Sequence, residues 1–525
     1  MASVAAVAIT SLPALLTFTA NASTAAVEYT IPSELFTSPI QLTLNLCNAP
    51  SSSYNQSDRT LFTAFTNATV TYGKAIRGGF ANMTIPVTKR QSDALTVALS
   101  PPAGNNDNDI QDYTFELGIT AKPDLPWHTL DKLPLFAVED SDNTTALFTS
   151  PTYASAVIAT PPTYQPFIVN TNDVRTDLSN STCYIRSLQP AGVLTNTTTT
   201  RGVVELTKEE GGFPGETSQG SRKVQYTASE LDVASNYSLW GISPNEGGGA
   251  RLYQRQFFAT KQDDLCRLMT DVPFCPDVAY SVPAPPAMSD ENLLALYQEN
   301  IAPIVSNFNL TLSLFPCDGE VRRKQGMYSP VRTCSQCLSA YRSWLCSIRM
   351  PRCTDYDANP SDKEDEIRTF PRTTPEDSRT TFLPDEAFPY SEVPPCIDVC
   401  SIVRASCPPL ISTPFQCPLE GITMNQSYAT PFVKQIAFQN VQGGDDAAWI
   451  QNALNDNEDA VTRAKDRWGN AKCNDMGVIN LVERRRWSGI PVLSTAVSSA
   501  HRSLSLTNVA SIFLVAYISL ALLSG

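Results

Sequence analysis

Hydrophobic and polar residues alternate along the first half of the chain, between about residues 27 and 260. Leu42, Leu44 and Leu46 stand between polar residues, and the same period of two returns over residues 95–99 and 113–119. Such alternation is typical of strands with one buried and one solvated face. Clusters of Pro, Gly, Asn and Asp separate the runs, as in antiparallel sandwiches. We therefore predict a β-rich domain over residues 23–260, built as an antiparallel β-sandwich.

The pattern changes after residue 263, where helical spacing and many cysteines replace the alternation. Residues 289–308 place apolar side chains on one helical face, with Ser289 as the expected N-cap and Asp290 and Glu291 in the first turn. Residues 445–467 form a second expected helix, whereas the acidic, Pro-containing stretch 361–385 is expected to be an exposed loop. The predicted fold class is therefore mixed, with a mainly helical, disulfide-rich second domain over residues 263–475.

Both ends of the chain have the character of targeting segments. Residues 1–22 combine an apolar stretch with the small residues of Ala20-Asn21-Ala22, which predicts a cleaved signal peptide, with a buried helix as the alternative. Residues 508–525 are an apolar tail that follows a spacer at 476–507, and the small residues 498–500 fit a GPI attachment site. A short transmembrane anchor is the other interpretation. Either one predicts attachment to a membrane through the tail.

Ten Asn-x-Ser/Thr sequons indicate N-linked glycans and passage through the secretory pathway. The first of them, at Asn21, would be removed with the predicted signal peptide. The nine remaining acceptors are Asn55, Asn67, Asn82, Asn143, Asn180, Asn196, Asn236, Asn309 and Asn425.

The net charge of −14 and the presence of only two histidines narrow the classes of function. Nucleic acid requires a basic surface, so it is not an expected partner. With only His128 and His501, the chain offers few general bases or metal ligands, and we predict neither enzyme activity nor a cofactor. The acidic cluster at residues 362–366 could attract Ca²⁺, but it lacks the spacing of an EF-hand loop and is expected to be solvated.

Twelve of the fourteen cysteines lie between residues 266 and 473. Cys47 and Cys183 are the only cysteines of the first domain, and in an oxidising compartment the simplest assignment pairs them with each other. Cys334 and Cys337 form a C-x-x-C motif, for which a redox or zinc role is an alternative. The motif lacks a second C-x-x-C and a βαβ context, so we favour disulfides.

The order and spacing of ten cysteines resemble the frizzled-type cysteine-rich domain, a small helical module held by five disulfides. Two segments carry the resemblance, Cys346-Ser-Ile-Arg-Met-Pro-Arg-Cys353 and Pro395-Cys396-Ile-Asp-Val-Cys400. If the pairing of that family carries over, Cys317 and Cys334 are left to pair within an insertion. The implied pairs are Cys266–Cys353, Cys275–Cys346, Cys337–Cys407, Cys396–Cys473 and Cys400–Cys417.

The whole chain is similar to the fungal stretch-activated calcium channel component family, the auxiliary subunit of the fungal high-affinity calcium channel. The resemblance is strongest from Cys266 to Cys417, and residues 340–353 are similar to the most recognisable stretch of that family. The resemblance implies an extracellular subunit docked on a large pore-forming calcium channel subunit. It further implies a location on the outer face of the plasma membrane, reached through the endoplasmic reticulum, and a role in calcium influx on stretch, pheromone or secretory stress.

Four residues are candidate contacts with such a partner, because Tyr and Arg are frequent in the hot spots of interfaces. They are Tyr341, Arg349, Arg352 and, in the basic run before the tail, Arg485. Packing in the core is the alternative for Tyr341 and for its neighbour Trp344. A solvated basic face is the alternative for the arginines.

Two other functions compete with the channel hypothesis. A GPI-anchored, frizzled-like protein could bind a lipid or a secreted ligand in a groove, and lipid in the purified protein would favour it. A hydrolase held at the cell wall could use two carboxylates at a defined separation. Hydrolysis of wall polysaccharide by the pure protein would favour that reading.

Overall fold

The structure is a computed structural model, and it describes the chain in the following ranges: 7–21, 27–35, 38–49, 61–66, 70–86, 95–100, 112–151, 153–154, 164–199, 221–245, 249–315, 334–355, 369–373, 379–384, 389–407, 417, 427–428, 473–474 and 476. Within these ranges the chain forms twenty-four strands and four α-helices. We call the described residues up to 260 the first lobe and those from 261 to 476 the second lobe.

Two facing sheets form the beginning of the first lobe. In sheet one the spatial order is β1 (Val7–Ala8), β3 (Val27–Ile31), β8 (Leu95–Ser100), β5 (Leu61–Thr66) and β6 (Val70–Ala75). In sheet two it is β2 (Ala14–Asn21), β9 (Asp112–Ala121), β4 (Ile40–Asn48) and β7 (Phe80–Ile85). The pairing of β1 with β3 is parallel, whereas the other pairs of these two sheets are antiparallel.

The alternating leucines of β4 explain why these sheets pack face to face. Leu42, Leu44 and Leu46 are fully buried, and β9 sets Phe115 and Leu117 beside them. Each such side chain contributes about 1.5–3 kcal/mol when it leaves water. Strands thus form where the period-two alternation predicts them, but β4 has no solvated face, because Thr43 and Asn45 between the leucines are also buried.

Two further sheets complete the first lobe. Sheet three has the order β10 (His128–Leu130), β18 (Ala250–Leu252), β17 (Asn236–Pro244) and β14 (Gln165–Asn170), with β19 (Gln256–Ala259) also paired to β17. Sheet four has the order β11 (Ala137–Ser141), β12 (Ala146–Thr149), β16 (Ser221–Ser229) and β13 (Tyr153–Ala154), with β15 (Val193–Thr199) also paired to β16. The short helix α1 (Thr182–Ser187) packs on β4.

Sheet three is buried on both of its faces. Along β17, Trp240 joins the core of sheets one and two, whereas its neighbour Leu239 joins a second core that contains Phe148 and Tyr226 of sheet four. Every residue from Tyr237 to Ile242 is therefore buried. Strands buried on both faces have no alternation of apolar and polar residues.

A buried histidine links sheet three to sheet two. His128 of β10 is 3% exposed, and its Nε2 lies 3.0 Å from Oε2 of Glu116 in β9. The hydrogen bond from His128 lowers the pKa of Glu116, although burial opposes the effect. The position agrees with a structural role for this histidine.

The second lobe combines helices with short strands. Its helices are α2 (Asp290–Leu312), α3 (Cys334–Arg349) and α4 (Ile397–Ser406). One hairpin pairs β20 (Cys266–Met269) with β21 (Tyr280–Pro283), and a small antiparallel sheet has the order β22 (Arg352–Thr354), β24 (Tyr390–Val393) and β23 (Phe370–Arg372). The predicted start of α2 is confirmed, because the Ser289 hydroxyl accepts a hydrogen bond from the backbone N–H of Asn292.

The predicted fold class is wrong in its second half. Five strands accompany the three helices of the second lobe, and the described chain is mainly β rather than half helical. Sequence periodicity misses these strands because each has only three or four residues, too few to show a period of two. Strand β23 lies within the stretch 361–385, which was expected to be a loop. The helix expected over residues 445–467 lies outside the described residues.

The two ends of the chain differ in what the structure describes. Residues 7–8 and 14–21, which belong to the predicted signal peptide, form strands β1 and β2. The spacer at 476–507 lies outside the description except for Met476, and the tail at 508–525 lies wholly outside it. In the described part of the chain, none of the helices has the length and apolar character of a membrane-crossing segment.

A substitution at Gly118 of β9 tests how closely Trp127 packs on sheet two. A Cβ atom at this position would lie 2.4 Å from Cβ of Trp127 and 2.7 Å from Oγ1 of Thr43. We expect Gly118→Ala to lower the free energy of unfolding by about 1–3 kcal/mol, because neither contact can yield without shifting backbone. Denaturant unfolding measures the effect. Thr84→Ala on the exposed face of β7 is the control, and equal midpoints for the two variants would contradict the expected contact.

Candidate functional site

Disulfides brace the second lobe at five described positions. They are Cys266–Cys353, Cys275–Cys346, Cys337–Cys407, Cys396–Cys473 and Cys400–Cys417, the same pairs that the frizzled-type resemblance implies. Cys47–Cys183 joins β4 to α1 in the first lobe. Cys334 is also in a disulfide, and Cys317 lies outside the described residues. These cross-links hold short helices and strands together where the apolar core alone is small.

The two cysteines of the first lobe also lie close to a carboxylate. The sulfur atoms of Cys47 and Cys183 and a carboxylate oxygen of Glu116 fall within 4.8 Å of one another. Because the two sulfurs are bonded to each other, they are not thiolate ligands. This group is therefore a disulfide beside a carboxylate rather than a metal centre.

Helix α3 holds the aromatic candidate contact Tyr341 and its neighbour Trp344, and both rings have partners within the lobe. The ring of Tyr341 stacks on Phe308 of α2, with centroids 3.6 Å apart and planes 10° apart. Burial raises the pKa of Tyr341, while the nearby charge of Arg349 lowers it. The Trp344 indole N–H donates to the hydroxyl of Tyr428 at 3.0 Å. The core alternative thus describes Tyr341, whereas Trp344 is half-buried against the cluster of Cys400, Cys417 and Tyr428.

The two described arginines among the candidate contacts, Arg349 and Arg352, differ in their environment. Arg349, at the end of α3, is half-buried, and Arg485 lies outside the described residues. Arg352 is 6% exposed and points into the boundary between the lobes. Its guanidinium group donates to the backbone carbonyl of Glu139 in the first lobe. Of the four candidates, Arg349 alone is both described and partly accessible.

Asp140 of β11 is the centre of the boundary between the lobes. Its carboxylate is 4% exposed and accepts hydrogen bonds from both directions. Lys261 Nζ lies 3.0 Å from Oδ1, and Arg352 Nε lies 3.0 Å from Oδ2. The backbone N–H groups of Ser141 and Ser281 donate to the same two oxygens at 2.8 and 2.9 Å. We call Asp140, Lys261 and Arg352 the interlobe clamp.

Further contacts extend the clamp along the boundary. The Ser281 hydroxyl donates to the backbone carbonyl of Ser141 at 2.6 Å, and Lys261 donates to the same carbonyl. The carboxylate of Asp142, two residues after Asp140, accepts a hydrogen bond from the backbone N–H of Leu268 at 3.2 Å. Strands β20 and β21 are thereby fixed to the end of β11 and the residue that follows it.

The charges of the clamp determine how Asp140 titrates. Burial by itself would raise the pKa of Asp140, but the charges of Arg352 and Lys261 and the two backbone N–H groups lower it below its usual value. A buried carboxylate with two cations and two amide donors is stable only while every member stays in place. The clamp therefore favours one relative placement of β11, β21 and β22.

A second buried carboxylate organises the small sheet of the second lobe. Glu392 of β24 is fully buried and lies 2.9 Å from Nη2 of Arg372 and 3.0 Å from Nε of Arg379. Arg379 also donates to the backbone carbonyl of Ser427 at 2.6 Å. The described parts of the stretch 361–385 are thus held to the lobe by charge.

The predicted glycan acceptors differ in accessibility. Asn82, Asn196 and Asn309 are exposed, and Asn143, Asn180 and Asn236 are half-buried, whereas Asn55, Asn67 and Asn425 lie outside the described residues. Asn180 is the most confined, because its amide occupies the space beside Gly78, whose φ of +58° favours glycine. A glycan attached to Asn180 would have to pass the backbone of Gly78 to reach solvent.

Sequence reasoning alone does not find the clamp. Asp140 lies in the polar run Glu139-Asp140-Ser141-Asp142, and Lys261 lies in Lys261-Gln262-Asp263-Asp264. Both runs resemble solvated surface, and 121 positions separate the two residues. The clamp could be predicted from the sequence only if β11 and β21 were already known to be neighbours.

The fold and the site together define a class of protein: an acidic, mainly β chain whose second lobe is cross-linked by disulfides and clamped to the first by buried charge. The comparison with known families then identifies the group. The chain belongs to the Mid1 family of stretch-activated Ca²⁺-permeable channel components, whose family model matches residues 26–442.

Three relatives are similar to parts of this chain. It is 28% identical over 334 residues to the stretch-activated cation channel yam8 of Schizosaccharomyces pombe, covering 61% of this chain and 62% of the relative. It is 31% identical over 220 residues to the stretch-activated cation channel MID1 of Saccharomyces cerevisiae, covering 40% of this chain and 38% of the relative. It is 27% identical over 338 residues to the stretch-activated cation channel MID1 of Cryptococcus neoformans, covering 58% of this chain and 48% of the relative. The chain thus spans no more than 62% of the length of these relatives, which are named as channels and not as enzymes.

Removal of the central charge of the clamp should destabilise the protein strongly. Asp140→Asn keeps the shape of the side chain but leaves Lys261 and Arg352 without a counter-charge. We expect a loss of about 3–5 kcal/mol in the free energy of unfolding, measured by denaturant titration. Asp124→Asn, at an exposed turn, is the matched control, and a loss no larger than the control's would show that the clamp contributes little.

The clamp should also make stability depend on pH. Because the folded pKa of Asp140 lies below its unfolded value, its contribution is fully present above the unfolded pKa and is lost as the pH falls through the folded pKa. The difference in unfolding free energy between the wild type and Asp140→Asn should therefore be constant above about pH 5 and shrink as the pH falls below it. Unfolding curves at several pH values test this, and a difference that stays constant throughout would contradict it.

Proposed function

We propose that this protein is an extracellular, membrane-anchored regulatory subunit of a calcium channel, bound to a large pore-forming subunit and needed for calcium influx on stretch, pheromone or secretory stress. The observation that carries the proposal is the family match over residues 26–442 to stretch-activated Ca²⁺-permeable channel components. The protein is not an enzyme in this proposal and requires no cofactor. Its site of action is the outer face of the plasma membrane, reached through the endoplasmic reticulum.

The disulfides support the extracellular part of the proposal. Six described pairs, distributed over both lobes, are the chemistry of an oxidising compartment. The exposed sequons at Asn82, Asn196 and Asn309 lie where glycans can extend into solvent. The apolar tail at 508–525 would supply the anchor, as a GPI signal or as a short spanning segment.

The interlobe clamp supports the role of a docking subunit. A lobe held by five described disulfides and fixed by Asp140 presents a surface that binding does not need to order, which lowers the entropic cost of association. Arg349 is the described candidate for a contact with an acidic surface of the pore subunit. Arg485 is the corresponding candidate beside the anchor.

A GPI-anchored, frizzled-like binding protein for a lipid or secreted ligand is the second candidate. Such a ligand requires an apolar groove. A cleft of 320 Å³ at the boundary of the lobes is instead lined by polar and charged residues, among them Asp142, Asp264, Arg267 and Asp290. This cleft does not supply such a groove.

The test is to recover the full chain from native membranes in mild detergent with an antibody and to identify what accompanies it by mass spectrometry. We expect a very large, multi-span channel subunit in stoichiometric amount, and lower calcium uptake in cells that lack this chain. Arg349→Glu should reduce the recovered pore subunit about tenfold, equivalent to roughly 1.4 kcal/mol. Arg186→Glu, exposed on α1, is the control and should not.

Two outcomes would count against the proposal. Repeated recovery of this chain alone would remove the channel partner. Recovery with a stoichiometric lipid would favour the binding-protein hypothesis.

A further inference from the structure

The turn between β11 and β12 carries a glycan acceptor at the boundary of the lobes. The sequon Asn143-Thr144-Thr145 lies in this turn. Asp142 fixes its backbone, because Oδ1 accepts hydrogen bonds from the N–H groups of Thr144 at 3.0 Å and Thr145 at 2.7 Å. Oδ2 of the same carboxylate accepts from Leu268 of β20. The acceptor is therefore held in a defined position beside the second lobe.

Asn143 forms part of the wall of the 320 Å³ cleft between the lobes. It is half-buried there, whereas the acceptors Asn82, Asn196 and Asn309 are exposed. A glycan is bonded to the side chain of its asparagine, so the first sugar at this position begins at the cleft. Ligand sites typically have volumes of about 300–1,000 Å³, and this cleft is at the lower end of that range. Its size therefore suits a ligand as small as the first sugar of a glycan.

Part of the cleft wall belongs to the second lobe and offers both donors and acceptors. Nη1 of Arg267 donates to the carbonyl of Met288 and lies 3.0 Å from Oδ1 of Asp290. No described residue accepts from Nε or Nη2 of Arg267, so these two groups are available to a ligand. Asp264 is exposed, and its carboxylate has no donor among the described residues. Sugar hydroxyl and acetamide groups can bond to both side chains, because they donate and accept hydrogen bonds.

We propose that Asn143 carries an N-linked glycan whose first sugar lies in this cleft and bonds to Arg267 and Asp264 of the second lobe. The glycan then joins the two lobes a second time, beside the interlobe clamp. A tethered ligand has an effective concentration on the order of millimolar, so weak saccharide contacts are enough to keep it bound. The presence of the glycan rests on the proposed extracellular function.

Site-resolved deglycosylation of the full chain, purified from its native membranes, tests the proposal. Peptide-N-glycosidase in heavy-oxygen water labels each asparagine as its glycan is released, and digestion after unfolding labels every occupied asparagine. In the folded chain we expect release at Asn143 to be about tenfold slower than at Asn82 and Asn309, because the linkage must leave the cleft before it is cleaved. Asp264→Ala should speed release at Asn143 and leave Asn82 unchanged.

Variants of the sequon test whether the glycan stabilises the protein. Thr145→Ala removes the sequon, whereas Thr145→Ser keeps it. The Thr145 hydroxyl has no hydrogen-bond partner within the described part of the chain, so the two variants differ mainly in the glycan. We expect Tm to be about 2 °C lower for Thr145→Ala than for Thr145→Ser, and an equal fall for Asn143→Gln. Asn309→Gln removes an exposed acceptor outside the cleft and should leave Tm unchanged.

Each alternative result has a distinct meaning. If Asn143 is unlabelled after unfolding while Asn82 and Asn309 are labelled, the proposal is overturned and the extracellular function stands. Release at Asn143 as fast as at Asn82, or equal Tm values for Thr145→Ala and Thr145→Ser, overturns the binding of the sugar in the cleft. Label missing from every sequon instead contradicts the extracellular function, and the glycan with it.

Discussion

The carboxylate of Asp140 is the interaction on which the arrangement of the two lobes depends. It lies 4% exposed between a cation from the start of the second lobe, Lys261, and a cation from strand β22, Arg352. A buried charge of this kind contributes little net stability, but it strongly disfavours any arrangement that leaves a partner unpaired. Its main consequence is therefore specificity: the β-rich lobe and the disulfide-rich lobe meet in one way.

The two lobes are stabilised by different means, and the interlobe clamp connects them. The first lobe has two cores on either side of sheet three, with Trp240 in one and Phe148 in the other. The second lobe has short strands and helices around small clusters, such as that of Cys266, Cys353 and Tyr390, and depends on cross-links.

Local sequence predicts those elements whose signal is local. The leucines of β4 and the Ser289 cap of α2 each lie within a few residues of what they specify. The resemblance to a known cysteine-rich module also anticipates the described disulfide pairs. By contrast, the helical character expected of the second lobe is wrong, because β22 forms only by pairing with β24, some forty positions away. Arg352, an interface candidate by residue type, becomes a clamp residue for the same reason.

The sequence by itself determined the strands around β4, the start of the first long helix of the second lobe, the acidic character and the family. Periodicity, capping and cysteine spacing are properties of the order of residues along the chain, so they can be recognised without knowledge of the fold. Only the tertiary structure decided that Asp140 meets Lys261 and Arg352, that Tyr341 stacks on Phe308, and that residues 14–21 form an edge strand. These depend on which strands become neighbours, and the desolvation that gives a buried charge or ring its importance exists only after the chain has folded.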